Sequence, residues 1–282
     1  MTNEAVKPRT LGVIAGSGPL PGQVAAAARA AGRDVFIVGL EGFADPAVLA
    51  PWPHEFVRFG AAGRFLAALR AHGCQDLVMI GPVRRPSFLG LRPDAAGVKI
   101  LARIGKAAFT GDDGLLKAII GVFAEEGFTV IGAHEVMREV LAPPGLLTRA
   151  APDALALSDI QRGVEVLRLL GQADVGQACV VQQGLVLAVE AIEGTDAMLA
   201  RSGTLRWEGA GGVLVKLCKP GQERRADLPT IGPDTVRNAL AAGLRGLAFE
   251  ARATILAEKE SCLAVADAAG FFLLGLESGA ST

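Results

Sequence analysis

The stretch Thr10-Leu-Gly-Val-Ile-Ala-Gly-Ser-Gly-Pro-Leu-Pro-Gly22 combines a short apolar run with a glycine-rich turn, and an alanine-rich segment, residues 23–31, follows it. The apolar run predicts a buried strand and the alanine-rich segment predicts a helix. A strand, a glycine-rich turn and a helix in this order begin a nucleotide-binding βα unit. The glycine spacing, G-x-G-x-x-x-G, matches the dinucleotide fingerprint poorly. The turn therefore predicts either a phosphate cradle made by Gly16, Ser17 and Gly18 or a tight turn that needs glycine for close packing.

Apolar strands alternate with helical segments through the first half of the chain. Predicted strands cover residues 34–39, 55–59, 76–80 and 128–131, and a predicted helix covers residues 64–72. This alternation predicts an α/β fold whose first sheet is mostly parallel and covered on both faces. In the second half several strands follow one helix, which predicts a mixed α/β domain.

A Pro-Pro-Gly segment marks the predicted boundary between the two halves. Residues 141–145, Leu-Ala-Pro-Pro-Gly, are expected to continue neither a helix nor a sheet. We therefore predict an N-terminal domain over residues 1–140, a linker over 141–150 and a C-terminal catalytic domain over 151–282. Within the last, residues 247–255 alternate with period two and predict a single strand with one polar face.

The composition excludes several classes of protein. The net charge is −1 and only 5% of the residues are aromatic, so the chain lacks the positive field and the stacking platforms expected of nucleic-acid binding. The four cysteines are widely spaced, which predicts reduced core thiols and argues against a zinc site. No secretory signal is recognisable, and the longest apolar run is about half a bilayer span. These features predict a soluble cytoplasmic protein.

The most polar segment between apolar neighbours is the loop Lys219-Pro-Gly-Gln-Glu-Arg-Arg-Ala-Asp-Leu-Pro-Thr-Ile-Gly-Pro-Asp-Thr235. Its prolines and glycines restrict the backbone to a defined shape. Three cations, Lys219, Arg224 and Arg225, accompany the carboxylate of Asp227 in this loop. The combination predicts a loop that binds an anion and acts on it.

Polar segments that interrupt the apolar strands of the second half are expected to meet at one sheet edge. They include Gln183 and the segment 190–196, besides the charged loop. The carboxylates of Glu193, Asp196 and Asp227 are candidate metal ligands. The other candidate binding residues, besides the glycine-rich turn, are Gln183, Thr195, Lys219, Arg224, Arg225 and Thr230. Cations beside carboxylates are what phosphoryl transfer requires, because the negative oxygens must be neutralised.

Each of these candidates also has a purely structural interpretation. The segment 193–196 is equally typical of a turn followed by a helix N-cap. Lys219 can extend an apolar stem towards solvent, and Arg224 to Asp227 can form surface ion pairs. The residues alone leave these alternatives open.

Four segments together resemble the LpxI family of UDP-2,3-diacylglucosamine pyrophosphatases, over nearly the whole chain and in order. They are Gly12-Val-Ile-Ala-Gly-Ser-Gly-Pro-Leu-Pro21, Gly111-Asp-Asp-Gly-Leu-Leu-Lys117, Ala188-Val-Glu-Ala-Ile-Glu-Gly-Thr-Asp196 and Lys216-Leu-Cys-Lys-Pro-Gly-Gln-Glu-Arg-Arg-Ala-Asp-Leu-Pro-Thr-Ile-Gly232. Each segment alone would be a weak signal, whereas the ordered set is specific.

The resemblance implies Mg²⁺-dependent hydrolysis of UDP-2,3-diacylglucosamine to UMP and 2,3-diacylglucosamine 1-phosphate in lipid A biosynthesis. It also implies a Rossmann-like N-terminal domain joined to a C-terminal α/β domain, and it places the essential carboxylate at Asp227. A mean hydropathy of +0.39 permits peripheral contact with the cytoplasmic face of the inner membrane. The sequence leaves homo-oligomerisation open.

Two other functions compete with hydrolysis. A nucleotide-dependent oxidoreductase would use the glycine-rich turn, but the glycine spacing is wrong and the usual ribose-binding acid is missing from the second strand. A non-catalytic regulator that binds a nucleotide sugar or a lipid would bind the same ligand without releasing UMP.

Overall fold

The computed structural model of the protein describes residues 9–84, 91–105 and 112–277. Contacts divide the chain into two units. The first comprises Met1–Arg138 together with Glu223–Asp227, and the second comprises Glu139–Gln222 together with Leu228–Thr282. The short segment Glu223–Asp227 therefore belongs to the first unit, although the sequence places it in the second half. The predicted domain limits stay a prediction.

The described residues of the first unit form alternating strands and helices. The strands are β1 (Thr10–Ala15), β2 (Val35–Leu40), β3 (His54–Val57), β4 (Cys74–Ile80) and β5 (Thr129–Val130). The helices are α1 (Leu20–Ala30), α2 (Pro46–Leu49), α3 (Ala62–Ala71), α4 (Ala95–Ile104), α5 (Asp112–Glu125) and α6 (Ala133–Val136).

Within the described residues the strands of the first unit form one parallel sheet in the order β3-β2-β1-β4-β5. This is the strand order of the nucleotide-binding doubly wound sheet. The strand residues of β1 and β2 are almost entirely buried, as expected for a sheet covered on both faces. One apolar cluster packs Leu69, Leu77 and Phe123 on one face, and another packs Val24 and Ile37 on the other.

The second unit mixes strand directions. Its strands are β6 (Gly145–Leu146), β7 (Ala178–Gln182), β8 (Leu185–Val189), β9 (Val213–Lys216), β10 (Thr230–Ile231), β11 (Gly246–Glu250), β12 (Ile255–Leu256) and β13 (Phe272–Leu276). Its helices are α7 (Ala154–Gln172), α8 (Thr195–Ser202), α9 (Pro233–Ala241) and α10 (Lys259–Ala268), with a 3-10 turn at Gly203–Leu205.

The main sheet of the second unit has the order β6-β13-β11-β9-β7-β8 over the described residues. Strands β9, β11 and β13 are parallel, whereas β7 is antiparallel to β8 and β9, and β6 is antiparallel to β13. A separate parallel pair joins β10 to β12. The predicted α/β fold, with a mostly parallel first sheet and a mixed second domain, is confirmed. None of the described helices is both long and apolar enough to cross a bilayer.

Two local predictions were wrong. The Pro-Pro-Gly segment does continue a sheet. Leu141 forms a β-bridge with Ile255, and Gly145 is the first residue of β6. The two prolines fall between these points of pairing and at the sheet edge, where a missing N–H is tolerated. Residues 247–255 do not form a single strand. The chain turns between β11 and β12, where Arg252 has φ 59°, and Thr254 is buried.

Candidate active site

The glycine-rich turn after β1 is closed onto the end of β4. The backbone N–H of Gly16 donates to the Ile80 carbonyl at 2.9 Å, and both the N–H and the hydroxyl of Ser17 donate to the Pro82 carbonyl at 3.0 and 2.9 Å. A Cβ on Gly16 would lie 2.3 Å from the Gly81 carbonyl oxygen, so only glycine allows this approach. These contacts give Gly16 and Ser17 a packing role.

The first turn of α1 has few donors for an anion. Pro19 is the residue before the helix and Pro21 lies in its first turn, and neither has a backbone N–H. Gly18 has φ +84°, and a Cβ added there would meet open space. A contact from Gly18 to substrate therefore stays a prediction, and the turn offers less than the phosphate cradle described for dinucleotide folds.

The segment Glu223–Asp227, which carries the predicted catalytic carboxylate, forms one tight turn. The N–H groups of Ala226 and Asp227 both donate to the Glu223 carbonyl, at 3.1 and 2.9 Å. Asp227 is half-buried. Ala226 packs against the apolar cluster of the first unit that contains Phe123. The turn is therefore seated on a folded core, which suits a residue that must hold a fixed position.

Inside this turn Glu223 and Arg225 form a two-pronged ion pair. The guanidinium donates to the two carboxylate oxygens at 2.8 and 2.7 Å, and the Arg225 backbone N–H adds a third contact at 3.2 Å. The hydrogen bond from Arg225 lowers the pKa of Glu223 and raises that of Arg225. Arg225 was predicted to bind substrate, and in this structure its charge is engaged within the loop. Arg224 is exposed.

Asp113, near the start of α5, contacts this turn from a position 110 residues earlier in the chain. Its Oδ1 accepts the Glu223 backbone N–H at 2.7 Å, and its Oδ2 accepts from Lys117 Nζ at 2.6 Å. From the sequence, Asp112 and Asp113 are candidate ligands of a hard cation or an N-cap of the following helix, and neither is predicted to contact the charged loop. The signal for Asp113 was present, because it lies in one of the four segments that carry the family resemblance.

In the second unit a buried polar chain joins the ends of β8 and β9 to the start of α8. Lys216 Nζ donates to Thr195 Oγ1 at 2.9 Å, and Thr195 Oγ1 donates to Glu190 Oε1 at 2.6 Å. Lys216 and Glu190 are buried, with 5% and 8% of their surfaces exposed. Thr195 was predicted to bind substrate. Its hydroxyl links a buried cation to a buried carboxylate in this structure, and its contact with substrate stays a prediction.

The beginning of the charged loop is clamped to the end of α7. Lys219 Nζ lies 2.5 Å from Asp174 Oδ1. Pro220 packs against Gly171, where a Cβ would come within 2.8 Å of the proline ring. Buried Gln222 accepts the Lys219 N–H at 2.7 Å and donates to Gln177 Oε1 at 3.1 Å. Lys219 was predicted to bind substrate, and here its charge fixes the loop.

The two adjacent glutamines of the β7–β8 hairpin have structural partners. Gln182 donates to the Trp207 and Ala210 carbonyls and accepts the Trp207 N–H. Gln183, predicted to bind substrate, lies in the turn with φ 53° and donates to the Glu208 carbonyl.

The carboxylates predicted as metal ligands in the second unit have other partners. Arg201 donates to Glu193 Oε1 at 2.9 Å, and the pKa of Glu193 is lowered first by its own backbone N–H and next by Arg201. Asn238 donates to Asp196 Oδ1 at 2.9 Å. Over the described part of the chain, no group of three or more His, Cys, Asp or Glu side chains is arranged to hold a metal ion.

The last predicted binding residue, Thr230, donates its hydroxyl to the Leu228 carbonyl at 3.2 Å. Its side chain is half-buried at the start of β10. As with Thr195 and Gln183, the structure supplies an internal partner, and contact with substrate stays a prediction.

Comparison with known proteins connects this geometry to a family. Residues 10–140 match the model of the LpxI N-terminal domain, and residues 143–274 match that of the LpxI C-terminal domain. A relative from Caulobacter vibrioides, UDP-2,3-diacylglucosamine pyrophosphatase LpxI, is 45% identical over 275 residues, which cover 95% of this chain and 98% of the relative.

Proposed function

Because this chain belongs to the LpxI family, we propose that it hydrolyses the pyrophosphate bond of UDP-2,3-diacylglucosamine. Water adds to one phosphorus, the bridging P–O bond breaks, and UMP and 2,3-diacylglucosamine 1-phosphate leave. The observation that carries the proposal is the 45% identity to a pyrophosphatase over nearly the full length of both chains. The step belongs to lipid A biosynthesis.

Asp227 is the residue that we propose as catalytic. The family resemblance selects it, and its half-buried position on a turn seated on the first unit's core suits a carboxylate that orients water or a phosphate-bound ion. Its neighbours Glu223 and Arg225 neutralise each other within the turn.

We propose that a Mg²⁺ ion arrives with the substrate. Mg²⁺ is usually bound through one or two carboxylates plus substrate phosphates, and a cage made only of protein ligands is not required. Asp227 would hold the ion. The other two predicted ligands, Glu193 and Asp196, accept hydrogen bonds from Arg201 and Asn238. When bound, Mg²⁺ would neutralise phosphate oxygens and so favour attack on phosphorus.

The remaining predictions about the setting are part of the proposal. We propose that the protein acts in the cytoplasm and contacts the inner membrane peripherally, where its diacylated substrate resides. The proposal is compatible with a homo-oligomer. The domain limits 1–140, 141–150 and 151–282 are retained with one modification, since Glu223–Asp227 makes its contacts in the first unit.

The test is UMP release from UDP-2,3-diacylglucosamine, with and without a chelator. We expect release by the wild type, loss of release after Mg²⁺ is chelated, and recovery when Mg²⁺ is restored. Asp227→Asn should lower kcat by roughly 10²–10⁴-fold with an unchanged melting curve, because it removes the charge and keeps the shape.

The matched control is Asp234→Asn, on the same stretch of chain. Asp234 is exposed and pairs with Arg237 on α9, so its removal should leave UMP release unchanged. Binding of the substrate without UMP release would support a non-catalytic regulator. A nicotinamide fluorescence signal on titration would support an oxidoreductase.

A further inference from the structure

A hydrogen bond to Glu223 holds the backbone of Asp227. The N–H of Asp227 donates to the Glu223 carbonyl at 2.9 Å, and the N–H of Ala226 donates to the same oxygen. The Glu223 side chain is occupied by Arg225 inside the same turn. A contact that holds the Glu223 peptide therefore also restrains Asp227, the residue proposed as catalytic.

That peptide is held by Asp113. Its Oδ1 accepts the Glu223 N–H at 2.7 Å, while its Oδ2 is 2.6 Å from Lys117 Nζ. Lys117 lies one helical turn after Asp113, so the ion pair fixes the orientation of the carboxylate. The Asp113 side chain is 19% exposed, which limits competition from water for the Glu223 N–H.

The anchor stands on a rigid element. Helix α5 contributes Ile120 and Phe123 to the apolar core of the first unit, and Ala226 packs against the same cluster. Side chains on packed helices hold a functional group more accurately than side chains on loops do. The hydrogen bond from Glu223 to Asp113 thus joins the proposed catalytic turn to a packed helix.

We propose that Asp113 is a positioning residue, which holds the Glu223–Asp227 turn through the Glu223 N–H so that Asp227 meets the reacting pyrophosphate. The inference rests on the proposed function. Asp113 does not contact substrate in this proposal. It positions the turn through the oxygen that accepts the Glu223 N–H, and its negative charge is not required.

Three variants separate these properties. Asp113→Ala removes the acceptor, and we expect kcat to fall roughly 10- to 100-fold with KM nearly unchanged, because small misplacements of catalytic groups have effects of this size. Asp113→Asn keeps an acceptor oxygen but directs an amide towards Lys117. Asp113→Asn combined with Lys117→Met removes that conflict, so the double variant should recover kcat to within about threefold of the wild type, the residual loss reflecting imperfect packing.

The matched control is Asp94→Ala. Asp94 also accepts a long-range backbone N–H, from Gly63 at 2.9 Å, and it caps α4 through Gly97 at 2.7 Å. Its loss should lower the melting temperature without changing kcat. If Asp94→Ala and Asp113→Ala lower kcat equally, Asp113 acts through general stability and the proposal fails.

Amide hydrogen exchange of the peptide that contains Glu223–Asp227 provides a readout that does not depend on activity. We expect faster exchange in Asp113→Ala and wild-type exchange in the double variant. Unchanged exchange in Asp113→Ala would overturn the anchor whatever the activity. Faster exchange in Asp113→Ala with unchanged kcat would overturn the positioning role. The half-saturating Mg²⁺ concentration gives a further test. If it rises equally in Asp113→Ala and in the double variant, Asp113 is a metal ligand and the positioning role is wrong.

A wild-type protein that releases no UMP would refute the proposed function itself, and with it the positioning of a reaction. The exchange measurement keeps that failure distinct, because loss of protection in Asp113→Ala would still be seen in an inactive protein.

Discussion

Replacement of Gln182 by alanine should destabilise the second unit far more than replacement of Gln183. Gln182 is 1% exposed at the end of β7 and makes three hydrogen bonds to the Trp207–Ala210 loop, at 3.0, 2.9 and 3.0 Å. Each such bond contributes about 1 kcal/mol net, so Gln182→Ala should lower the free energy of unfolding by about 3 kcal/mol. Gln183 is exposed and makes one side-chain bond, so Gln183→Ala should cost less than about 1 kcal/mol.

The assay uses tryptophan fluorescence during urea or thermal unfolding. The chain has two tryptophans, so a Trp52→Phe background leaves Trp207 as the reporter, within the loop that Gln182 holds. At roughly 2–4 °C per kcal/mol, Gln182→Ala should lower the melting temperature by roughly 6–12 °C. The same proteins are then tested for UMP release below that temperature.

The Gln182→Ala and Gln183→Ala variants are expected to behave differently. If the hydrogen bonds matter as the structure indicates, Gln182→Ala melts early and Gln183→Ala behaves like the wild type in both assays. Equal melting temperatures would refute the structural argument for Gln182. A raised KM in Gln183→Ala would restore the sequence prediction that Gln183 binds substrate.

Two further predictions concern charged networks. Thr195→Val should lower the free energy of unfolding by about 2–4 kcal/mol, because it breaks two hydrogen bonds to the buried ions Lys216 and Glu190, and urea unfolding of Thr195→Ser, which keeps the hydroxyl, is the comparison. The Arg225 hydrogen bond holds the pKa of Glu223 below its ordinary 4.5, so this stabilisation is complete above about pH 4.5 and is lost as the pH falls through the lowered pKa. Arg225→Met should therefore cost at most about 1 kcal/mol at neutral pH and flatten the acid limb of a stability-versus-pH curve, whereas an unchanged limb would contradict this assignment.

The alternation of strands and helices in the first half could be predicted because burial on both faces leaves continuous apolar runs in the sequence. Strands β1, β2 and β4 lie close to their predicted positions. The period-two pattern of residues 247–255 misled because polarity alone does not show where a chain turns. At Arg252, two residues after β11 ends, the backbone adopts φ 59°, which no side-chain pattern reveals.

The placement of the turn proposed as catalytic could not be predicted from the sequence. Its contact with Asp113 joins residues 110 positions apart, and neither residue's neighbours in sequence indicate the pairing. The chemistry of the site was easier to recognise than its arrangement. The sequence predicts that carboxylates and cations gather at one site, but it does not show which ions neutralise each other.

The ion pairs of the charged loop affect which groups can neutralise the negative charge of the pyrophosphate in the proposed reaction. Lys219 is paired with Asp174, and Arg225 with Glu223, so two of the three cations that suggested an anion site are used to shape the loop. A pyrophosphate brings negative charge that must be neutralised as the bridging bond breaks. Because Lys219 and Arg225 are engaged within the loop, a Mg²⁺ ion at Asp227 becomes a principal source of positive charge in the proposal. Chelation should therefore reduce the rate more than removal of Lys219 or Arg225 does, and the reverse order would return the anion-binding role to those two side chains.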